Sequence, residues 1–424
     1  MAQGITMIAI PWHFTNVLNM PSGFGIITMV ATFLSLLWGL YAGVMIDRYN
    51  RKHVFLAITT GGFIIMLLVS LLGFYLGQLP MLSVAFIYCS MFLIFTVHYP
   101  NLFAFAQEIT DPKDYGRIIS WIEIQGQATT AASMALGAVL YGGARSGEIS
   151  LLGFQVKLAT VLRPWELHEI FLLNAITFLL AGLLISFIRF QPLAHRSAEI
   201  SGVLSRLKAG FDYLYKHRLI FIFGTASFFI FVTILITGFY LNPIYIKNHL
   251  QQEAGVYASY EMYFAVGSLL AGIGIRTLFR KSNTVAAIII MSLGISALYF
   301  ICMWNTHLGV FYLIGLMQGF GNAGTRIMRM TYLFHHIPNQ VIGRTGGVFM
   351  TVSVILRLIL IFVISRPFFV SGNHVTYSYF ILALFVLSAA ALMSVFYTRL
   401  VALPAHSDIR LADKGKNYNQ ISKH

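Results

Sequence analysis

Charge is what this chain most lacks: Asp, Glu, Lys and Arg together make up 10% of its 424 residues. Soluble domains carry about 25%, so a water-facing surface around a single core, and with it a soluble enzyme, is excluded. Acid is the scarcer sign, with 14 Asp and Glu against 28 Lys and Arg. Cysteine is nearly missing too. Cys89 and Cys302 stand alone in apolar stretches without a CxxC pair, which supports neither a disulfide framework nor a thiolate zinc site. The 13 histidines come without carboxylates at ligand spacing, so no metal centre is expected. No Gly-rich phosphate loop with its lysine occurs, so ATP does not drive the protein directly and no cofactor is implied.

Apolar residues fill the space, at 58% of the chain with a mean hydropathy of +0.78. A helix needs about 20 apolar residues to cross the hydrocarbon layer, and such runs follow one another almost end to end. Backbone groups unsatisfied in lipid cost several kcal/mol each, so the runs are helices or a closed barrel. They lack the alternation of barrel strands. The expected spans are 2–18, 22–46, 54–77, 82–106, 118–143, 169–188, 219–241, 257–275, 285–304, 308–333, 345–365 and 377–398.

Between the sixth and seventh runs a polar stretch, 189–218, places Val203, Leu204, Leu207, Phe211 and Leu214 on one helical face, as in an interfacial helix. It divides a six-helix unit at 1–188 from a second at 219–400, with 401–424 as a tail. The fold class is therefore all-α membrane protein, twelve transmembrane helices in two pseudo-symmetric bundles. With the Asp47 loop, linker and tail in the cytoplasm, that side holds 20 of the 28 Lys and Arg, which puts both termini inside. The +14 net charge then reads as loop orientation and headgroup contact rather than nucleic-acid binding. The outer segment 146–166 has short alternating stretches that suit a small hairpin. The first span, with only about 17 residues including Gly4, Pro11 and His13, implies a thin-spanning helix or a natural start upstream of Met1; the second is preferred.

Two loop signatures repeat at nearly one offset. Gly43, Arg51 and Lys52 recur 229 residues later as Gly272, Arg280 and Lys281, and Gly116-Arg117 recurs 227 residues later as Gly343-Arg344. Duplicated halves of six helices are the parallel-repeat architecture, with a substrate site at mid-membrane between the halves. The stretch Gly39 to Lys52, with Gly43, Asp47, Arg48 and Arg51 in it, resembles the loop 2–3 signature of the major facilitator superfamily. Ile8-Ala9-Ile10-Pro11-Trp12 resembles the first helix of its drug- and siderophore-exporter branch, which includes macrolide and enterobactin exporters. The fifth span lacks the Gly-Pro pair of the antiporter motif, and Arg276 stands where the first half has Asp47.

Physically, Gly39 and Gly43 allow close helix approach, and Asp47 can latch a neighbouring helix terminus in one of two states. Arg48, Arg51 and Lys52 could equally be loop anchors of the positive-inside kind. Ionisable groups within spans are expensive and usually functional. Glu123 lies about 9 Å into the fifth span at 1.5 Å per residue, with Gln127 one turn on. His98 and Arg326 have similar depth. The resemblance puts spans one, four, seven and ten at the central cavity, where Glu123, His98 and Arg326 could meet as a proton-coupling group. A structural ion pair is the competing reading.

Arg329 is expected to snorkel to the cytoplasmic interface. Arg357 lies about 20 Å deep at 1.5 Å per residue, too deep for easy snorkelling, and suits an anionic substrate group; a buried arginine bonded to carbonyls is the alternative. Glu261 could pair with it or serve an outer gate. Asn174, Asn242, Gln318 and Asn322 read first as helix–helix hydrogen bonds and second as cavity contacts. The expected protein is a monomeric secondary transporter of the inner membrane. It would couple to protons and move a small organic solute, leaning anionic, by alternating access among membrane lipids. Export of neutral or cationic drugs is the alternative, and a non-transporting receptor on the same fold the remote one.

Overall fold

The computed structural model describes residues 2–111, 114–143, 148–152, 154–157, 162–189, 203–338 and 341–404. Most of the tail, and the linker before Val203, lie outside them. The first half comprises α1 (Ala2–Trp12), running on as a π-helical turn at His13–Val17, then α2 (Pro21–Arg48), α3 (Arg51–Leu76), α4 (Met81–Ile109), α5 (Tyr115–Gly142) and α6 (Leu167–Phe187). The linker contributes α7 (Val203–Lys216). The seventh span is a broken path of α8 (Arg218–Ser227), α9 (Phe229–Ile236), a π-helical turn at Thr237–Leu241 and α10 (Asn242–Asn248). Then follow α11 (Ala254–Leu278), α12 (Thr284–Cys302), α13 (Leu308–His336), α14 (Ile342–Ile364), the short α15 (Pro367–Val370), α16 (Val375–Val395) and α17 (Tyr397–Val401). Twelve spans result, as the hydropathy implies.

Among the described residues, nine spans are long and apolar enough to cross a membrane on composition alone. The first, fifth and tenth fall outside that set, being shortened or carrying residues such as Gln125, Gln127, Gln318 and Arg329. Such polarity suits helices that face protein or a cavity over much of their circumference. Local signals place the ends. Asn50 caps α3 by accepting from the Lys52 amide at 2.9 Å, Gly77 ends it at φ +74°, and Asn283 caps α12 through the Ala286 amide at 2.8 Å. Glu166 and Glu169 form a capping box on α6.

The duplication is visible in the packing. In the first half α2 packs on α4 and α3 on α6; in the second α11 packs on α13 and α12 on α16. The halves meet along two equivalent seams, α2 against α14 and α5 against α11. The α11–α13 crossing is backbone-close: a Cβ on Gly319 would run into the Phe264 carbonyl, and one on Gly267 into that of Leu316. The two π-turns also correspond, Thr237 following His13 by 224 residues. Each lies beside a proline, Pro11 or Pro243, whose missing N–H disturbs the helical ladder. Thr15 Oγ1 satisfies the Pro11 carbonyl at 2.7 Å.

The segment expected to form a hairpin does so. β1 (Glu148–Leu151) pairs antiparallel with β2 (Phe154–Lys157), Leu151 facing Phe154. The two ends of the molecule can be called the hairpin end and the linker end. At the hairpin end the halves interlock. Lys247 donates to the Asn16 carbonyl at 2.8 Å and to Asn19 Oδ1 at 2.6 Å, and Tyr240 to the Pro21 carbonyl at 3.1 Å. Leu152, at φ +55° on the hairpin tip, is held from both sides: its amide donates to Ser259 Oγ at 2.9 Å and its carbonyl accepts from Tyr263 at 3.2 Å. At the linker end α7 lies along α14, with Gly210 against the Arg344 carbonyl, and also touches α2.

Candidate functional site

The signature turn between α2 and α3 is a clamp on its own bundle. Arg51 pairs with Glu108 of α4 at 3.2 Å and donates to the Ala104 carbonyl, while Asn101 donates to the Arg51 carbonyl at 3.0 Å. Lys52 caps the end of α6 through the carbonyls of Ser186 and Ile188, both at 2.8 Å. These two basic residues therefore bind protein as well as orienting the loop. Arg48 is exposed beside the Tyr49 ring. Gly39 lies close to α4, a Cβ there coming within 3.3 Å of Thr96 Cγ2. The side chains of Gly43, Asp47 and Glu123 lie outside the described residues.

Within the spans the expected residues separate. His98 is half-buried with its ring against Phe55 and Tyr99. Gln127 and Asn322 are half-buried and Arg326 is exposed. Gln318 is buried and accepts from Tyr260 at 2.7 Å, a helix–helix bond between α13 and α11. Asn174 donates to Thr6 at 3.1 Å, and Asn242 accepts from Tyr379 at 2.7 Å, in the same structural manner.

Arg329 does not snorkel. It is 5% exposed, donates to the Ser227 carbonyl at 3.0 Å and lies 3.7 Å over the Phe228 ring. The break between α8 and α9 exposes that carbonyl, and a delocalised guanidinium fits a ring face, so protein outcompetes the interface.

Arg357 is 8% exposed on the face of α14 that meets the first half, and its Nε has no partner among the described residues. Tyr88 of α4 stands within electrostatic reach, fully buried, with its hydroxyl also unpartnered. The suggested pair with Glu261 is not formed: Glu261 neighbours Gly238 of the seventh-span π-turn, 3.6 Å from where a Cβ would sit there, and among the described residues no ion pair reaches it. An arginine and a glutamate thus stand apart, one on each seam helix of the second half. Tyr88, Tyr257 and the hairpin contacts carried no sequence signal, because single tyrosines in apolar runs read as ordinary lipid or core aromatics.

A cleft of about 530 Å³ opens at the hairpin end, lined by Thr15, Met20, Pro21, Ile244, Asn248 and Pro367 among others. It includes neither Arg357 nor Glu261 and no charged group, so it flanks the interlock rather than forming the site.

The model of the Major Facilitator Superfamily matches residues 1–361. The chain belongs to that family of membrane transporters. Among solved structures it is similar to the nucleoside transporter NupG, with 14% identity, 93% of this chain and 98% of that one covered, and a TM-score of 0.69. It is also similar to a D-xylose–proton symporter (14% identity, 92% and 94% covered, TM-score 0.67). A third is a bacterial homologue of the iron transporter ferroportin in an inward-facing state (15% identity, 92% and 96% covered, TM-score 0.64). Identities this low establish the shared fold. No curated protein sequence matches the chain at a significant level.

Proposed function

We propose that the chain is a proton-coupled secondary transporter that moves a small organic anion, such as a carboxylate-bearing siderophore or metabolite, across the cell inner membrane. The observation that carries the reading is Arg357: buried at the seam between the halves, with an unpartnered Nε and, among the described residues, no ion pair to a carboxylate. An unpaired arginine in a span costs about 2.5–3.5 kcal/mol on insertion scales, and an anionic ligand is the group that would repay it. The excess of basic loops at the linker end supports a cytoplasmic placement of that end and of both termini. The interlocked hairpin end then faces outward, so the conformation is one of an alternating-access cycle with its outer side closed. The D-xylose–proton symporter with the same fold lends support to proton coupling. The resemblance of residues 8–12 to siderophore and drug exporters supports export.

The test is accumulation in proteoliposomes of a panel of carboxylates and organic cations, with and without a pH gradient. Arg357→Lys keeps the charge but loses the bidentate fork. Binding of the transported anion should weaken by about 1.5–3 kcal/mol, a Kd rise of roughly tenfold to a hundredfold, at little change in Tm. Unchanged affinity for every anion together with a large Tm loss would make Arg357 structural and remove the reason for an anionic substrate.

A further inference from the structure

We propose that Glu261 is a coupling-proton site, and that its proton controls the hairpin-end closure through the π-turn Thr237–Leu241. This rests on the reading of the chain as a proton-coupled transporter and names a carrier that the family signature does not supply. Glu261 lies seven residues into α11, about 10 Å from the hairpin end at 1.5 Å per residue. Its carboxylate faces Gly238, the second residue of the π-turn. That turn carries the contacts that join the halves. Phe239 packs edge-on against Phe92 of α4 with centroids 5.9 Å apart, and Tyr240 donates to the Pro21 carbonyl and packs on Phe24. Tyr257, one turn before Glu261, donates to the Gly238 carbonyl itself. The carboxylate is therefore one or two residues from every bond the turn makes to the first half.

Nothing compensates a negative charge there. Among the described residues no ion pair or hydrogen bond reaches Glu261. On its own helix Tyr257 and Tyr260 are within electrostatic reach, and both are buried. Tyr260 is committed to Gln318 of α13. On the π-turn Tyr240 is committed to Pro21. On α10, Lys247 is engaged by Asn16 and Asn19, and His249 by Asn305 and Asn373. Across on the first half, His13 is bonded to Tyr141 of α5 at 3.1 Å. Arg357 of α14 stands by Tyr88, and Arg326 and Arg329 lie in the linker-end half of α13. Glu123 is eight residues from the linker end of α5, at a different level.

Glu261 is half-buried, and a carboxylate with incomplete hydration calls for a cation, donors or more water. One proton removes the requirement. Neutral Glu261 leaves the π-turn packed and the hairpin end shut. Loss of that proton leaves a charge that only fuller hydration can satisfy, and that hydration comes when the α9–α10 segment swings off α2 and α4. The turn is thus the two-state element and the proton the ligand that biases it.

The test needs no substrate. Protein in lipid nanodiscs, on a Cys89→Ala, Cys302→Ala background, is titrated while infrared difference spectra follow carboxyl protonation. In parallel, spin labels at Leu82 and Trp304, which are 82% and 72% exposed at the hairpin ends of the two halves, report their distance. Wild type should show a protonated-carboxyl band that is lost as pH rises, with a matched lengthening between the labels. Glu261→Gln should lose the band and hold the short distance at every pH, and Glu261→Asp should restore both. Persistence of band and lengthening in Glu261→Gln overturns the proposal, as does a wild type with neither. Lengthening that follows sodium and ignores pH overturns it too. Failure of the anion panel leaves these spectra untouched, so the two readings fail separately.

Discussion

Replacing Lys247 with methionine should open the hairpin end of a molecule that otherwise keeps its fold. The side chain reaches from α10 to the turn after α1, donating to the Asn16 carbonyl at 2.8 Å and to Asn19 Oδ1 at 2.6 Å, and both acceptors belong to the other half. Hydrogen bonds to a charged group contribute about 1.5–3 kcal/mol when sheltered. The site is partly exposed, with Asn19 itself on the surface, so screening and side-chain entropy reduce the pair to about 1–2 kcal/mol in total. Because both bonds exist only when the halves are together, the whole amount falls on the closure equilibrium and little on folding. A change of 1–2 kcal/mol shifts a two-state ratio by about 5–30-fold. Methionine keeps most of the volume and stem packing, so the effect isolates the ammonium. The assay is the distribution of distances between labels at Leu82 and Trp304 in nanodiscs, with Tm on the same sample. An unchanged distribution in Lys247→Met would refute the assignment of this lysine as an interlock; a fall in Tm without opening would make it a fold contact.

Two further outcomes test the packing. Gly319→Ala should lower Tm, since overpacking costs about 1–3 kcal/mol and the new methyl would meet the Phe264 backbone, whereas Gly294→Ala in α12, with open space around its Cβ position, should leave Tm equal or higher. Glu108→Ala should lower Tm, at a cost of about 1 kcal/mol through loss of the 3.2 Å pair with Arg51, which keeps its bond to the Ala104 carbonyl, and comparison of the melting curves with and without salt checks the ionic part.

The spans, the linker helix and the two halves were legible in the sequence because each depends on a one-dimensional property: apolar run length, amphipathic period, or recurrence of Gly43-Arg51-Lys52. The outer hairpin was legible for the same reason. Asn174, Asn242 and Gln318 were best read as helix–helix bonds, and they form them. What the sequence hid depends on which way a helix is turned. Depth alone suggested that Arg329 would reach the interface, but α13 turns it toward the carbonyl freed at Ser227. The sequence left Glu261 open as a partner of Arg357 or an outer-gate residue, and the two lie on different seam helices facing different neighbours. The π-turns were hidden because one inserted residue leaves hydropathy unchanged; a proline near each, Pro11 before the first and Pro243 after the second, was the trace they left.

The two seams, α2 on α14 and α5 on α11, also determine how abruptly the molecule can change shape. A 28-residue helix such as α2 is about 42 Å long at 1.5 Å per residue, so its tips lie about 20 Å from a pivot at mid-length. A rotation of about 15°, the scale of known subunit rotations, moves side chains at the pivot by fractions of an ångström and those at the tips by about 5 Å. Ordinary hydrogen bonds span about 3 Å and fade well before that displacement. Contacts along the seams can therefore roll, while the bonds of Lys247, Tyr240 and Leu152 must snap together or not at all. Leverage of this kind concentrates the opening of the molecule in the few bonds at the hairpin end.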